Sequence, residues 1–213
     1  MKKLKVITFI LINAIVFVSC RKEKINSIAS EYFPCTIGDY WEYDVYDSSY
    51  LREHPNIPRE YAVKVSITGI QKLVDSIDAY VWQYQFPWGN EINYVRIVGD
   101  TVKTFDTVYS KTIRDLLFPR KVYVIPFHDG QRWDGKLLFI DSSHVNKLPS
   151  VITKSETFMD CFGIFYHYMG PNLEYNDTYW FKPNIGMLKI YYNHYNLASR
   201  TMQLWQLKKF YLH

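Results

Sequence analysis

The feature that most constrains the fold is a period of two in the apolar residues, which recurs along most of the chain. Trp41, Tyr43 and Val45 alternate with Glu42 and Asp44, and the same alternation runs through residues 61–68 and 80–86. Successive side chains of a strand point to opposite faces of its sheet. Each segment therefore predicts a strand with one face against a core and the other toward water.

Further strands are predicted where apolar and β-branched residues cluster between turn signals. They cover residues 92–98, 101–107, 121–127, 136–140, 151–158, 162–168, 178–181, 187–192 and 201–211. Gly99-Asp100 fits a two-residue hairpin turn, and only residues 110–117 look helical. Many short strands with turns between them predict a mainly β fold. We expect an antiparallel meander curled into an open barrel or sandwich, with at most one or two short helices.

Aromatic residues make up 18% of the chain, with 19 Tyr, 13 Phe and 6 Trp. Such residues favour strands and bring large apolar area with one polar handle. They fit an aromatic-rich sheet core. They also fit a surface that stacks on a sugar ring or an apolar ligand, for which the candidates are Trp41, Trp82, Trp88, Tyr84 and Tyr168.

The first nineteen residues have the pattern of an export signal. Three lysines precede an apolar run from residue 6 to residue 18, which is shorter than the roughly 20 residues that span a bilayer. Phe17-Val18-Ser19-Cys20 then resembles a lipobox, although Leu is more usual at the position of Phe17. The signal peptide is predicted to be residues 1–19. Cys20 would become the first residue and carry the lipid, such as palmitate, that anchors the protein.

Residues 20–30 are polar and predict a tether, followed by a single β-rich domain over residues 31–213. Pro34, Gly38 and Trp41 have the same spacing as Pro126, Gly130 and Trp133. This repeated spacing indicates either that the same kind of turn is used twice or that the chain arose by duplication, with halves near residues 31–120 and 121–213.

The basic charge of the chain is mostly that of its signal peptide. Without residues 1–19 the chain has 22 basic and 21 acidic residues, so its net charge is +1. Nucleic-acid binding calls for a basic patch, and we expect none.

Cys35 and Cys161 are the two cysteines that follow Cys20 in the sequence. In an oxidising envelope they form either a disulfide or two buried thiols. We expect no metal site and no cofactor.

Three segments carry a resemblance to a known family. They are Tyr32-Phe33-Pro34-Cys35-Thr36-Ile37-Gly38-Asp39-Tyr40-Trp41-Glu42-Tyr43, Thr157-Phe158-Met159-Asp160-Cys161 and Tyr179-Trp180-Phe181-Lys182-Pro183-Asn184-Ile185-Gly186. They are similar, in this order, to the F-P-L-x-x-G-x-x-W-x-Y, G-T-F-x-x-C and Y-W-F-x-P-x-x-G motifs of envelope lipoproteins in Bacteroidota-type bacteria. Cys35 and Glu156 depart from those motifs, and Asn184 stands where members of the family usually have Gly. The family carries no established activity, so the resemblance implies an architecture and a location.

No catalytic signature is present, since zinc-binding, serine-nucleophile and phosphate-loop motifs are all missing from the sequence. We therefore expect a non-catalytic, lipid-anchored protein of the outer membrane or cell envelope that binds an unknown ligand or envelope partner. The alternatives are a carrier of lipids or lipoproteins, an assembly factor and, least favoured, a hydrolase. Residues 21–24 (RKEK) are not the acidic run linked to surface export, which slightly favours an orientation toward the periplasm.

Overall fold

The computed structural model describes residues 28–49, 56, 58–73, 77–106, 121–135, 141–170, 172–197 and 199–213. These residues form one short helix, α1 (Ala29–Tyr32), and twelve strands. The strands are β1 (Tyr40–Asp47), β2 (Glu60–Lys72), β3 (Asp78–Phe86), β4 (Gly89–Val98), β5 (Thr101–Asp106), β6 (Lys121–Val124), β7 (Arg132–Gly135), β8 (Asp141–Ile152), β9 (Thr157–Gly170), β10 (Leu173–Lys182), β11 (Gly186–Asn196) and β12 (Arg200–Tyr211). No helix among the described residues is long and apolar enough to cross a membrane.

The twelve strands form one antiparallel sheet in which sequence neighbours are also neighbours in space. The order is β6-β5-β4-β3-β2-β1-β12-β11-β10-β9-β8-β7, so the first and last strands pair in the middle of the sheet. The sheet curls until β6 and β7 approach each other, which makes a nearly closed barrel. The predicted antiparallel meander in an open barrel is confirmed.

Side chains bridge the seam between β6 and β7, where the described strands have no backbone ladder. The carbonyl oxygen of Val122 accepts hydrogen bonds from Trp133 Nε1, at 2.8 Å, and from the Tyr166 hydroxyl. The carbonyl oxygen of Val124 accepts one from Gln131 Nε2 at 3.0 Å. These bonds satisfy carbonyls that a neighbouring strand would otherwise satisfy, and they protect the sheet edge from pairing with another chain.

One end of the barrel, which we call the base, is filled by residues 28–39, the plug. Phe33 is 1% exposed, and its ring lies 4.8 Å from that of Tyr123 and 5.1 Å from that of Phe181. Ala29, which the sequence placed in the polar tether, is fully buried. Helix α1 is therefore part of the packed domain, because it places Ala29 and Tyr32 in the core. The opposite end of the barrel, where β1 ends and β12 begins, is the mouth.

Most predicted strands match observed ones, and the Gly99-Asp100 turn is confirmed because Val98 pairs with Thr101 across it. The single strand predicted over residues 151–158 is wrong. Here β8 ends and β9 begins, because the Thr153 hydroxyl accepts hydrogen bonds from two backbone amides and closes a turn. Strand β7 and residues 141–150 of β8 were not predicted, since these segments are too polar to show an alternation of apolar and polar residues. The helix predicted at 110–117 and the strand at 136–140 lie outside the described residues.

The repeated Pro-Gly-Trp spacing falls at the first strand of each half of the meander. Gly38 and Gly130 have positive φ angles of 100° and 74°, which glycine adopts at little cost. Trp41 then lies in β1 and Trp133 in β7. Each motif thus turns the chain into the first of six consecutive strands.

Candidate functional site

The inner face of the barrel follows from strand register. Tyr84 on β3 pairs with Glu91 on β4, and Tyr192 on β11 pairs with Gln203 on β12. Because side chains directly opposite each other point to the same face, these four lie on the inner surface. Toward the base that surface is packed with aromatic and aliphatic residues. Toward the mouth it surrounds a cavity of about 300 Å³.

One wall of the cavity is a row of aromatic rings along β3 and the turn after it. The Tyr84 and Phe86 rings are nearly parallel with centroids 6.3 Å apart, and those of Phe86 and Trp88 are 4.7 Å apart. Trp205 on β12 meets Phe86 edge to face at 5.8 Å. Trp82 lies deeper in the cavity wall, next to Phe33 of the plug. The alternation of β3 produces this row, since every second residue is aromatic.

Polar side chains line the rest of the cavity. They are Glu91 and Asn93 on β4, Thr104 on β5, Lys121 on β6, His194 on β11, and Thr201 and Gln203 on β12. Amide, hydroxyl and carboxylate groups supply both donors and acceptors. The cavity therefore combines flat apolar surface with a ring of hydrogen-bonding groups.

Asp177 on β10 is the centre of the polar network beside the cavity. Its Oδ2 lies 2.7 Å from Lys121 Nζ and accepts a hydrogen bond from the Tyr179 hydroxyl at 3.1 Å, while its Oδ1 lies 2.7 Å from His194 Nε2. Burial by itself raises the pKa of Asp177. The positive charge of Lys121 and the hydrogen bond with His194 outweigh that effect and hold the pKa below its usual value.

The Lys121 ammonium is enclosed by aromatic rings as well as by Asp177. It lies 4.1 Å from the ring centre of Tyr179 and 5.1 Å from that of Tyr192. Such contacts stabilise a cation that has lost much of its water. Lys121 therefore ties β6 to β10 and β11 across the interior, close to the seam.

Among the residues that the structure describes, the geometry brings together no recognisable catalytic group. The Ser143 hydroxyl is buried and has no hydrogen-bond partner among the described residues, and His144 lies on the opposite face, stacked 4.7 Å from Phe165. No group of three His, Cys, Asp or Glu side chains within the described residues has a geometry that could hold a metal ion.

The five aromatic residues named from the sequence fall in different places. Trp82, Tyr84 and Trp88 line the cavity. Trp41 is 1% exposed, stacks on Trp82 at 5.3 Å and donates its indole N–H to the Ile185 carbonyl at 2.7 Å, so it is a core residue. Tyr168 stacks on Tyr175 and lies outside the cavity lining. Contact of any of them with a ligand stays a prediction.

Sequence reasoning missed several cavity residues. Phe86 and Trp205 continue the alternation of their strands, so a signal for them existed. No sequence pattern indicated Lys121 or its partner Asp177, which lies beside the cavity. The two residues are 56 positions apart and meet only because the barrel closes.

Cys35 and Cys161 are both free thiols in this structure, so no disulfide joins them. The Cys161 thiol donates to the Phe158 carbonyl oxygen within its own hairpin. Burial, followed by the negative charge of Asp39, raises the pKa of Cys35 to about 12. The predicted lipidation site, Cys20, lies outside the described residues.

Comparison with known proteins finds similarity to solved structures of two other proteins. No known protein family and no curated protein matches the chain. A protein from Bacteroides fragilis, described as exported and as having a YmcC-like fold, is 11% identical with a TM-score of 0.43, covering 83% of this chain and 96% of its own. A protein from Parabacteroides distasonis, described as a lipoprotein, is 13% identical with a TM-score of 0.38, covering 84% and 98%.

Proposed function

We propose that this protein is a lipid-anchored envelope protein whose barrel binds a small hydroxylated ring compound, a sugar of one or two rings, at the mouth. The cavity supports this proposal. Its volume of about 300 Å³ is at the small end of the ligand-pocket range, roughly 300–1,000 Å³. Aromatic walls suit the apolar faces of a sugar, and the surrounding polar groups suit its hydroxyls.

The same lining disfavours an acyl chain, which a lipid carrier would have to hold. Each polar group left unsatisfied by an apolar ligand costs about 1–3 kcal/mol. Each buried methylene returns only about 0.8 kcal/mol. Covering the Glu91 carboxylate with an acyl chain would therefore cancel the gain from several methylenes, whereas a sugar hydroxyl can hydrogen-bond with it.

Binding is tested on the full mature protein, lipidated and held in nanodiscs. Methyl glycosides of glucose, galactose and mannose, and their β-linked disaccharides, are titrated while tryptophan fluorescence is recorded. We expect saturable changes, since Trp82, Trp88 and Trp205 line the cavity. Loss of an aromatic stacking wall in Trp88→Ala should weaken binding at least tenfold. Trp180→Ala is the matched control, because Trp180 contacts Lys189 away from the cavity lining. No saturable binding by any glycoside would refute the proposal.

The anchor is tested separately by Cys20→Ala. Two or three acyl chains hold a protein durably on a membrane, and without them the protein should move to the soluble envelope fraction. Retention of the variant in washed membranes would contradict the lipid anchor. Protease added to intact cells should leave the wild-type protein uncut if it faces the periplasm.

A further inference from the structure

The charges around the cavity restrict which sugar it can hold. A lysine, a histidine and several aromatic rings in one pocket suggest a site for a carboxylate or phosphate. The lysine, however, is already neutralised. Lys121 Nζ lies 2.7 Å from Asp177 Oδ2, with only 13% and 6% of their side chains exposed. The Tyr179 ring covers the ammonium from another side at 4.1 Å.

His194 is committed to the same carboxylate through Nε2, at 2.7 Å from Asp177 Oδ1. The charges of Lys121 and Asp177 cancel, and the His194 ring is held by the same carboxylate. Asp177 therefore prevents both basic side chains from attracting an anion into the cavity.

Among the described residues of the cavity lining, Glu91 is the remaining formal charge. It lies on β4 opposite Tyr84 and is exposed at the cavity wall. Within the part of the chain that the structure describes, no Lys, Arg or His lies within ion-pair distance of its carboxylate. The formal charges of Lys121, Asp177 and Glu91 sum to −1, and the neighbouring faces of Tyr and Trp rings also favour a cation.

Building on the proposed sugar-binding function, we propose that the cavity selects a sugar carrying a protonated amino group, held by Glu91, and rejects sugars carrying a carboxylate. Asp177 determines this specificity because its carboxylate pairs with both Lys121 and His194. An exposed ion pair contributes up to about 1 kcal/mol, so the amino sugar should bind roughly fivefold more tightly than its neutral counterpart.

The test compares methyl glucoside, methyl glucosaminide and methyl glucuronide, and the three galactose equivalents, on the full lipidated protein in nanodiscs. Measurements are made at pH 7, where a sugar amino group, with a pKa close to the roughly 7.7–8.0 of an α-amino group, is mostly protonated. In the wild type, the affinity should fall from amino to neutral to acidic sugar. Glu91→Gln should bring the amino and neutral sugars within twofold of each other. Glu42→Gln should retain the wild-type ratio, because Glu42 pairs with Lys209 away from the cavity lining.

Asp177→Asn provides an independent test, since it removes the carboxylate that neutralises Lys121 and should raise the affinity for the acidic sugar at least fivefold. Equal binding of amino and acidic sugars by the wild type would overturn the charge argument while leaving sugar binding in place. Survival of the amino preference in Glu91→Gln would also overturn it. Failure of all the sugars to bind would instead refute the proposed function, and this inference with it.

Discussion

Replacing Asp177 with asparagine removes the negative charge that Lys121 and His194 share inside the barrel. The variant keeps the shape of the side chain and one hydrogen-bond acceptor, so the main loss is electrostatic. Removing one member of a buried ion pair costs about 3–5 kcal/mol. Here the Lys121 side chain is 13% exposed beside an open cavity, which lets water replace part of the lost interaction. We therefore expect a loss of about 2–3 kcal/mol in the free energy of unfolding.

Urea denaturation, followed by tryptophan fluorescence and circular dichroism, measures this loss directly. A domain of this size loses about 2–4 °C in Tm for each kcal/mol, so Tm should fall by about 5–10 °C. Asp44→Asn is the matched control, because Asp44 forms an exposed pair with Lys208 at 3.4 Å, and it should cost less than about 0.5 kcal/mol. A loss for Asp177→Asn no larger than that of the control would refute the reasoning.

The pH dependence of stability gives a second measure of the same interaction. The pKa of Asp177 is lower in the folded protein than the value of about 3.9 for an unfolded chain. The charged form is therefore favoured by folding, and its contribution is fully present above about pH 4. That contribution is lost as the pH falls through the lower, folded pKa. The stability difference between wild type and Asp177→Asn should shrink below pH 4, and a difference that grows there would contradict this assignment.

Three further predictions concern packing, turn strain and thiol reactivity. Trp41→Ala should cost about 3–5 kcal/mol in urea denaturation, as large truncations in a core do, whereas Trp133→Phe should cost about 1 kcal/mol for its lost hydrogen bond across the seam. Losses in the reverse order would contradict the core position of Trp41. Gly38→Ala should lower stability by about 2 kcal/mol, because φ is 100° and a Cβ would lie 2.7 Å from the C-terminal histidine ring. Gly130→Ala, with φ 74° and no atom within 4 Å, should cost about half as much; equal losses would show that the close contact costs nothing. With a pKa near 12, Cys35 has a thiolate fraction on the order of 10⁻⁴ at pH 8. Mass spectrometry should find that residue unmodified by iodoacetamide in the native protein and modified in urea, and rapid native labelling would disprove its high pKa.

Local patterns in the sequence determined the strands and the residues that face inward. The alternation in residues 80–86 predicts β3 and its aromatic inner face, because a strand turns every second side chain to the same side. The Gly99-Asp100 turn is equally local. Residues 153–156 misled the prediction because a threonine hydroxyl closes a turn inside an apolar run, and β7 was missed because its short, polar sequence has no period.

Only the tertiary structure decided which inner residues form a core and which surround a cavity. Trp41 and Trp82 belong to equally regular alternations and stack on each other, yet Trp41 lies wholly in the core and Trp82 also lines the cavity. The pairing of β1 with β12, and the meeting of Lys121 with Asp177, depend on closure of the barrel over long sequence distances. A period of two specifies the face on which a side chain lies. It does not specify which strand lies opposite. The ion pair between Lys121 and Asp177 therefore could not be predicted from the sequence.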